Sequence, residues 1–213
     1  ASIVESSRLA AESGTTTLLT IVSDPASLAG LAGTLPRIWW ALEFMDLHGD
    51  PEAARQMERL AAWLSRHPGA SWKAAISPHA PYTASSALFE ECARLASELR
   101  LPFTTHLAES AEEEELFRSG QGPLRSLLPE TWVPGRFSDR LDVIPSGSLV
   151  AHANHLSPEN LQLLKPRGAV VVHCPTTHRW FRRPPFPLET FRRHGIPVIP
   201  GTDSPASSDN RAA

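Results

Sequence analysis

The chain has 213 residues, 41% of them apolar, and 20 basic against 23 acidic side chains leave a net charge of −3. That length suits a single domain over 1–213 with a genuine hydrophobic core, and the mixed, slightly acidic charge argues against nucleic acid or an anionic membrane as partner. No apolar run reaches the ~20 residues that span a bilayer, and the start Ala1-Ser2-Ile3-Val4-Glu5 has no signal-peptide layout, so a small-molecule partner in the cytoplasm is expected.

Residues 3–12 carry helical spacing after Ser2 as N-cap, and Gly14 ends that helix. Thr15 to Val22 is β-branched and apolar, the pattern of a strand buried on both faces, and Pro25 closes it. Residues 26–33 are compatible with a short helix, after which Arg37 to Phe44 reads as a second buried strand with Glu43 near its end. Asp50 as cap, Pro51 in the first turn and Ala54, Met57, Leu60, Ala61 and Leu64 at helical spacing predict a crossover helix to Arg66. Trp72 to Ile76 is a short strand, and in Ser77-Pro78-His79-Ala80-Pro81-Tyr82-Thr83 two prolines stiffen the backbone around His79. A helix over Ala84 to Leu99 and a strand over Leu101 to Leu107 follow, the strand delivering His106. The next helix is Ser110 to Ser119; its acidic run, Glu112 to Glu115, reads as a macrodipole effect on a solvated face.

Residues 120–145 are rich in Gly and Pro, with Trp132 and Phe137 among charges, and read as an insertion over the fold. Ser148 to Ala153 is a strand ending at His152, Ser157 opens a helix to Leu164, and Ala169 to His173 is again a strand. Its exit loop, Cys174 to His178, leads into the aromatic and basic stretch Arg179 to Pro187. A helix over Phe186 to His194 and a strand over Ile196 to Pro200 then empty into Gly201-Thr202-Asp203-Ser204.

Seven strands separated mostly by helices predict a parallel sheet, and prolines gather in the connections, 20 in all. His79, His106, His152, His173 and Asp203 fall at five different strand exits. An open sheet would spread them, whereas a (β/α)8 TIM barrel gathers them on one face, so the expected fold is an α/β barrel with about seven of eight strands present.

Imidazoles and carboxylates at converging strand ends suit a divalent ion, zinc first and iron second, with a position left for water. Such an ion brings a bound water to a pKa of about 7 and makes it a nucleophile at neutral pH. Glu109, three residues past His106, is placed to move protons; Asp203 can both ligate and accept the water proton, and His152 can polarise the attacked group. Taken alone, His106 would be an ordinary strand-end histidine and Glu109 a helix-capping carboxylate. His173 fits a ligand or a core histidine equally well, while His48, His67, His155 and His194 fall near turns and are expected at the surface. Cys92 and Cys174 lack CxxC spacing, which suits a reducing compartment, and Cys174 reads as a small buried residue. The stretch after Cys174 is expected to line a pocket or pack a loop, and a homo-oligomer is compatible with the composition.

From Ser13-Gly14-Thr15 to Asp203-Ser204 these motifs resemble the amidohydrolase superfamily, in its aminohydrolase branch of nucleoside and guanine deaminases and triazine chlorohydrolases. His106-Leu107-Ala108-Glu109 looks like that branch's HxxE, which implies a metal ligand in His106 and a proton-shuttling acid in Glu109. His152 looks like the histidine that assists the attacking water, and Asp203 like the aspartate that binds metal and serves as general base. His79 is similar to a substrate-holding histidine, with Glu43 and His178 expected beside the substrate. In His173-Cys174-Pro175-Thr176-Thr177-His178 the usual serine and asparagine of the motif are Thr177 and His178. The resemblance implies metal-dependent hydrolysis of a C–N bond, most simply deamination of an adenosine or aminodeoxyfutalosine derivative. A triazine-type chlorohydrolase, a cyclic amidohydrolase and a non-catalytic barrel relic are the alternatives. The branch carries His-x-His on its first strand and none occurs here, nor does the chain begin with Met, so a fragment starting after that strand is expected.

Overall fold

The computed structural model describes residues 3–23, 37–47, 73–133 and 135–204, together with 55, 57, 58, 60, 62 and 207. Helix α1 (Ile3–Glu12) leads into strand β1 (Thr17–Val22), followed by β2 (Arg37–Phe44) and β3 (Lys73–Pro78). Helix α2 (Ser86–Leu99), β4 (Thr104–Leu107), α3 (Ala111–Ser119), a 3₁₀ turn (Pro123–Leu127) and α4 (Phe137–Leu141) come next. Strand β5 (Leu149–His152), α5 (Pro158–Leu164), β6 (Val170–His173), α6 (Pro175–Trp180), α7 (Leu188–Arg193) and β7 (Val198–Pro200) complete the order.

All strand pairs are parallel, in two runs, β1-β2-β3 and β4-β5-β6-β7. A parallel bridge from Ile76 to Phe103 joins them, so each strand lies beside its neighbour in sequence. A doubly wound sheet reverses its order at a switch point; this one never does, which is the winding of a barrel. Among the described residues no ladder joins β7 to β1.

Register divides the sheet into two faces with different work. Val22 pairs with Leu42, Leu42 with Ile76, Ile76 with Phe103; two residues along, Thr105 pairs with Val150, Val150 with Val171 and Val171 with Val198. These residues share one face by the period-two alternation of strands. All but Thr105 belong to or pack against one apolar cluster, which also takes in Leu88, Phe89, Cys92, Ala93 and Ala96 of α2, Leu161 and Leu164 of α5 and Phe191 of α7. The opposite face carries Glu43 paired with Ser77, and His106 paired with Ala151, itself paired with Val172. Packing against the helices is thus borne by the first face, and the second sets Glu43, Ser77 and His106 among small and aliphatic residues such as Ala41, Ala75, Ala151 and Val172.

Helix ends follow local chemistry. Ser85 caps α2 by accepting the Leu88 N–H at 3.1 Å, and Arg100 ends it with a left-handed φ of 53°. Ser110 caps α3 by accepting the Glu113 N–H at 3.2 Å, and Gly120 ends it at φ 71°. Most expected elements recur with ends shifted by a few residues. Cys174 to His178, expected as a loop, instead enters α6, with Pro175 in the first turn where its missing N–H costs nothing. The 120–145 insertion contains the 3₁₀ turn and α4, tied down by Trp132 Nε1 donating to Tyr82 O at 3.1 Å and by Phe117 edge-on to Phe137 at 4.9 Å. Within the expected crossover helix, 55, 57, 58, 60 and 62 are helical, and Leu60 is fully buried. Ser2, Pro25, the 26–33 segment, His48, Asp50, Pro51, Ala54, Ala61, Leu64, His67 and Trp72 lie outside the described residues.

Candidate active site

The strand exits β2 to β5 and β7 bring six of the expected residues close together: Glu43, His79, His106, Glu109, His152 and Asp203. His106 lies on the polar face, and its Nδ1 bonds to the His79 carbonyl at 2.9 Å, which fixes the ring and leaves Nε2 to the site. The same carbonyl accepts the His106 N–H at 2.9 Å. The imidazole of His79 is held at Nδ1 by Thr83 Oγ1, 2.6 Å away, so its Nε2 too is uncommitted. Burial, followed by the nearby His106, lowers the His79 pKa and keeps the ring neutral. Glu43, bonded at 2.7 Å by Ser23 Oγ, forms a three-donor group with these two imidazoles, all within 4.8 Å of one another.

His152 reaches the site by a break in strand alternation. Its register partner is Leu107, on the packing face, yet its ring stacks on His106 with centroids 5.6 Å apart. Left-handed backbone at His152 (φ 70°) and Ala153 (φ 52°) accompanies this turn. Ala108 (φ 44°) and Asp203 (φ 59°) are left-handed as well, so the exits of β4, β5 and β7 all hold non-glycine residues in conformations that cost about 1–3 kcal/mol each and gather at functional sites. His152 Nε2 lies 3.8 Å from Glu109 Oε2 and 3.9 Å from Asp203 Oδ2. Burial lowers its pKa, with Glu109 opposing.

Cys174 joins His152 and Asp203 in a second group whose donor atoms lie within 4.8 Å of one another. Burial, reinforced by Asp203, pushes its thiol up to about 12, so it is a neutral thiol at pH 7. His106 and Asp203, the implied ligand pair, therefore stand in different donor groups with His152 between them. His173 is not brought in: it follows Val171 on the packing face and stacks on Phe186 at 3.9 Å. The alternation that puts His173 away from the site puts Cys174 into it, a signal present in the sequence. His178 has both ring nitrogens engaged, Nδ1 with Asn154 Oδ1 at 3.2 Å and Nε2 with Pro184 O at 2.6 Å. His155 and His194, expected at the surface, are half-buried.

Two residues were missed by sequence reasoning. Arg183 Nη2 donates to Glu109 Oε1 at 2.8 Å, from a side chain 11% exposed. Glu113, taken for part of a solvated acidic face, is 1% exposed and accepts the backbone N–H of Ala108 (3.1 Å) and Glu109 (2.9 Å). Burial raises its pKa to about 8, although those two bonds pull the other way. Helical spacing separates it from its neighbours: Glu113 and Leu116, three apart, are the buried pair of α3. A cavity of about 320 Å³ lies beyond Ala108, between α3, α4 and the start of α5, and none of His106, His152 and Asp203 lines it.

Parallel strands wound in sequence, with imidazoles and carboxylates gathered past their C-terminal ends, define an α/β protein of the TIM-barrel type with a hydrolase-like site. The chain belongs to the amidohydrolase family, which it matches over residues 4–212. It is 30% identical over 207 residues to the 5-methylthioadenosine/S-adenosylhomocysteine deaminase of Thermoanaerobacter pseudethanolicus, covering 93% of this chain and 45% of that protein. Helicobacter pylori aminofutalosine deaminase, solved in complex with methylthio-coformycin, superposes with a TM-score of 0.85 at 22% identity, over 96% of this chain and 53% of the other. An adenosine deaminase from Xanthomonas campestris with bound zinc gives a TM-score of 0.69 at 25% identity, over 96% and 45%. The chain thus spans about half the length of these relatives.

Proposed function

We propose that this protein is a metal-dependent aminohydrolase that deaminates a purine nucleoside-type substrate, an adenosine or aminodeoxyfutalosine derivative. The observation that carries the reading is the convergence of His152 on both Glu109 and Asp203, 3.8 and 3.9 Å away, beside a His106 whose Nε2 is presented to the site. Deaminases among the relatives support the choice of substrate class.

His106 and Asp203 stand in adjacent donor groups bridged by His152, and each offers a donor type suited to a divalent ion. A metal-ligating histidine commonly fixes its second nitrogen on a carbonyl, as His106 does on His79. His106 and Asp203 would hold the ion, zinc being the first choice for an imidazole and carboxylate set, with His152 alongside. Bound there, the ion would activate a water at neutral pH. Asp203 would take a proton from the attacking water as its oxygen bonds to the ring carbon bearing the amino group. Glu109 delivers a proton to the substrate, and the neutral His152 stabilises the addition intermediate by hydrogen bonding. The proton held by Asp203 would then pass to the amino group as the C–N bond breaks, so that it leaves as ammonia, while the new hydroxyl gives up its proton to form the carbonyl and Glu109 recovers a proton. His79 and Glu43, on the β2–β3 side, hold the substrate. Two free cysteines suit a reducing cytoplasm.

Zinc-loaded protein incubated with adenosine, 5-methylthioadenosine and S-adenosylhomocysteine tests the proposal. Loss of adenine absorbance matched by equimolar ammonia is expected from at least one; no ammonia from any adenine nucleoside overturns it.

A further inference from the structure

The segment after α6 reaches Glu109 from two directions. Arg183 grips the side chain through the 2.8 Å bond from Nη2 to Oε1, and its guanidinium also lies 5.1 Å over the Phe181 ring. The next residue, Pro184, reaches the main chain of Glu109 through a strut. Its carbonyl accepts from His178 Nε2 at 2.6 Å; His178 Nδ1 stands 3.2 Å from Asn154 Oδ1, a contact that is a hydrogen bond only when both ring nitrogens carry a proton; and Asn154 Nδ2 donates to the Glu109 carbonyl at 2.9 Å. That last bond fixes the Asn154 amide, since only its NH₂ can serve a carbonyl. Local geometry aims both branches. Arg182 adopts a left-handed φ of 51°, and the Arg183 N–H closes back on His178 O at 3.1 Å. A strained residue of this kind persists only where its surroundings hold it.

We infer that Arg183 is the positioning residue of Glu109, with His178 and Asn154 as its main-chain counterpart. The inference rests on the reading of Glu109 as the proton-transfer group. With Oε1 committed to Arg183, Oε2 is the oxygen left toward His152, 3.8 Å away. Proton transfer needs the working oxygen within hydrogen-bond reach of its target, and a carboxylate free to swing loses that alignment. The aromatic and basic stretch thereby has its task. His178, expected beside the substrate, stands in this strut with its two ring nitrogens toward Pro184 O and Asn154 Oδ1.

The test uses zinc-loaded protein with a substrate it turns over. A misplacement of about 1 Å costs ~10²-fold, so Arg183→Ala lowers kcat by about that factor with KM little changed, and millimolar guanidinium restores part of it. Arg183→Lys keeps the charge but not the planar fork and falls between the two. Wild-type kcat in Arg183→Ala, or a loss confined to KM, overturns the inference; should the Ala variant not fold, wild-type kcat in Arg183→Lys does so. Glu109→Gln run alongside separates the two claims: wild-type turnover in that variant overturns the reading of Glu109 itself, whereas an inactive Glu109→Gln with a fully active Arg183→Ala overturns only the positioning role.

Discussion

His152 Nε2 and Glu109 Oε2 face each other at 3.8 Å, too far for a hydrogen bond. Asp203 Oδ2 stands 3.9 Å from the same nitrogen. Groups spaced this way converge on a common atom rather than on one another, and the proposed chemistry needs such a point at the attacking water. Burial lowers the His152 pKa, so the ring is neutral at pH 7 and can donate or accept there.

Replacing Glu109 by Gln keeps shape and burial while removing the proposed proton-transfer group. Turnover is expected to fall by the ~10²–10⁴-fold typical of a general acid or base, with zinc content unchanged, because the proposal gives ligation to His106 and Asp203 and not to Glu109. Metal analysis and steady-state rates on the same preparation check this; loss of zinc would make Glu109 a ligand instead.

His79 presents Nε2 from a loop tied at both ends: its N–H donates to Phe44 O at 3.0 Å, and its carbonyl receives His106. His79→Ala removes the ring and leaves these backbone bonds. A rise in KM is therefore expected, with kcat/KM reduced and zinc retained. An unchanged kcat/KM would remove His79 from the substrate contacts.

Glu113 gives a pH signature of its own. Its folded pKa of about 8 lies above the ordinary 4.5, so between those values the folded chain holds a proton that the unfolded chain has released. Stability from this group is full below about pH 4.5 and is lost as pH rises through about 8. Gln cannot titrate, and its NH₂ would oppose one of the two N–H donors at a cost of about 1–3 kcal/mol. Urea unfolding of wild type and Glu113→Gln across this range should show the wild-type advantage shrinking as pH rises; parallel curves would mean that Glu113 does not change protonation on folding. Histidines whose pKa burial lowers, such as His79 and His152, push stability the other way, and they cancel in the comparison.

The strand pattern was legible because both faces are written in the sequence: Arg37–Phe44 forms one unbroken strand over the span its apolar run predicts. His106 and Asp203 were legible as strand-exit polar residues, the former at the end of an apolar run. His152 was legible as a strand-end residue, but not how its ring reaches the site: alternation alone points it away, and left-handed backbone accompanies its turn. His173 was left open between ligand and core histidine, and strand parity decides it: His173 falls on the packing face and stacks on Phe186, while the next residue, Cys174, read as a small buried residue, is buried beside His152 and Asp203. Arg183 lies 74 residues from Glu109 along the chain, and local spacing carries no signal for such a pair. Glu113 was hidden in a run of four similar residues, where helical spacing rather than charge selects the buried one.

The central claim is that a metal held by His106 and Asp203 drives deamination. It is tested most directly by measuring ammonia release from an adenine nucleoside as zinc is titrated into metal-free protein. The account predicts no release without metal, a rate rising in proportion to bound zinc up to a single ion per chain, and loss of both binding and rate in His106→Ala. Ammonia released equally by the metal-free protein, or a His106→Ala variant that keeps its zinc and its rate, would contradict it.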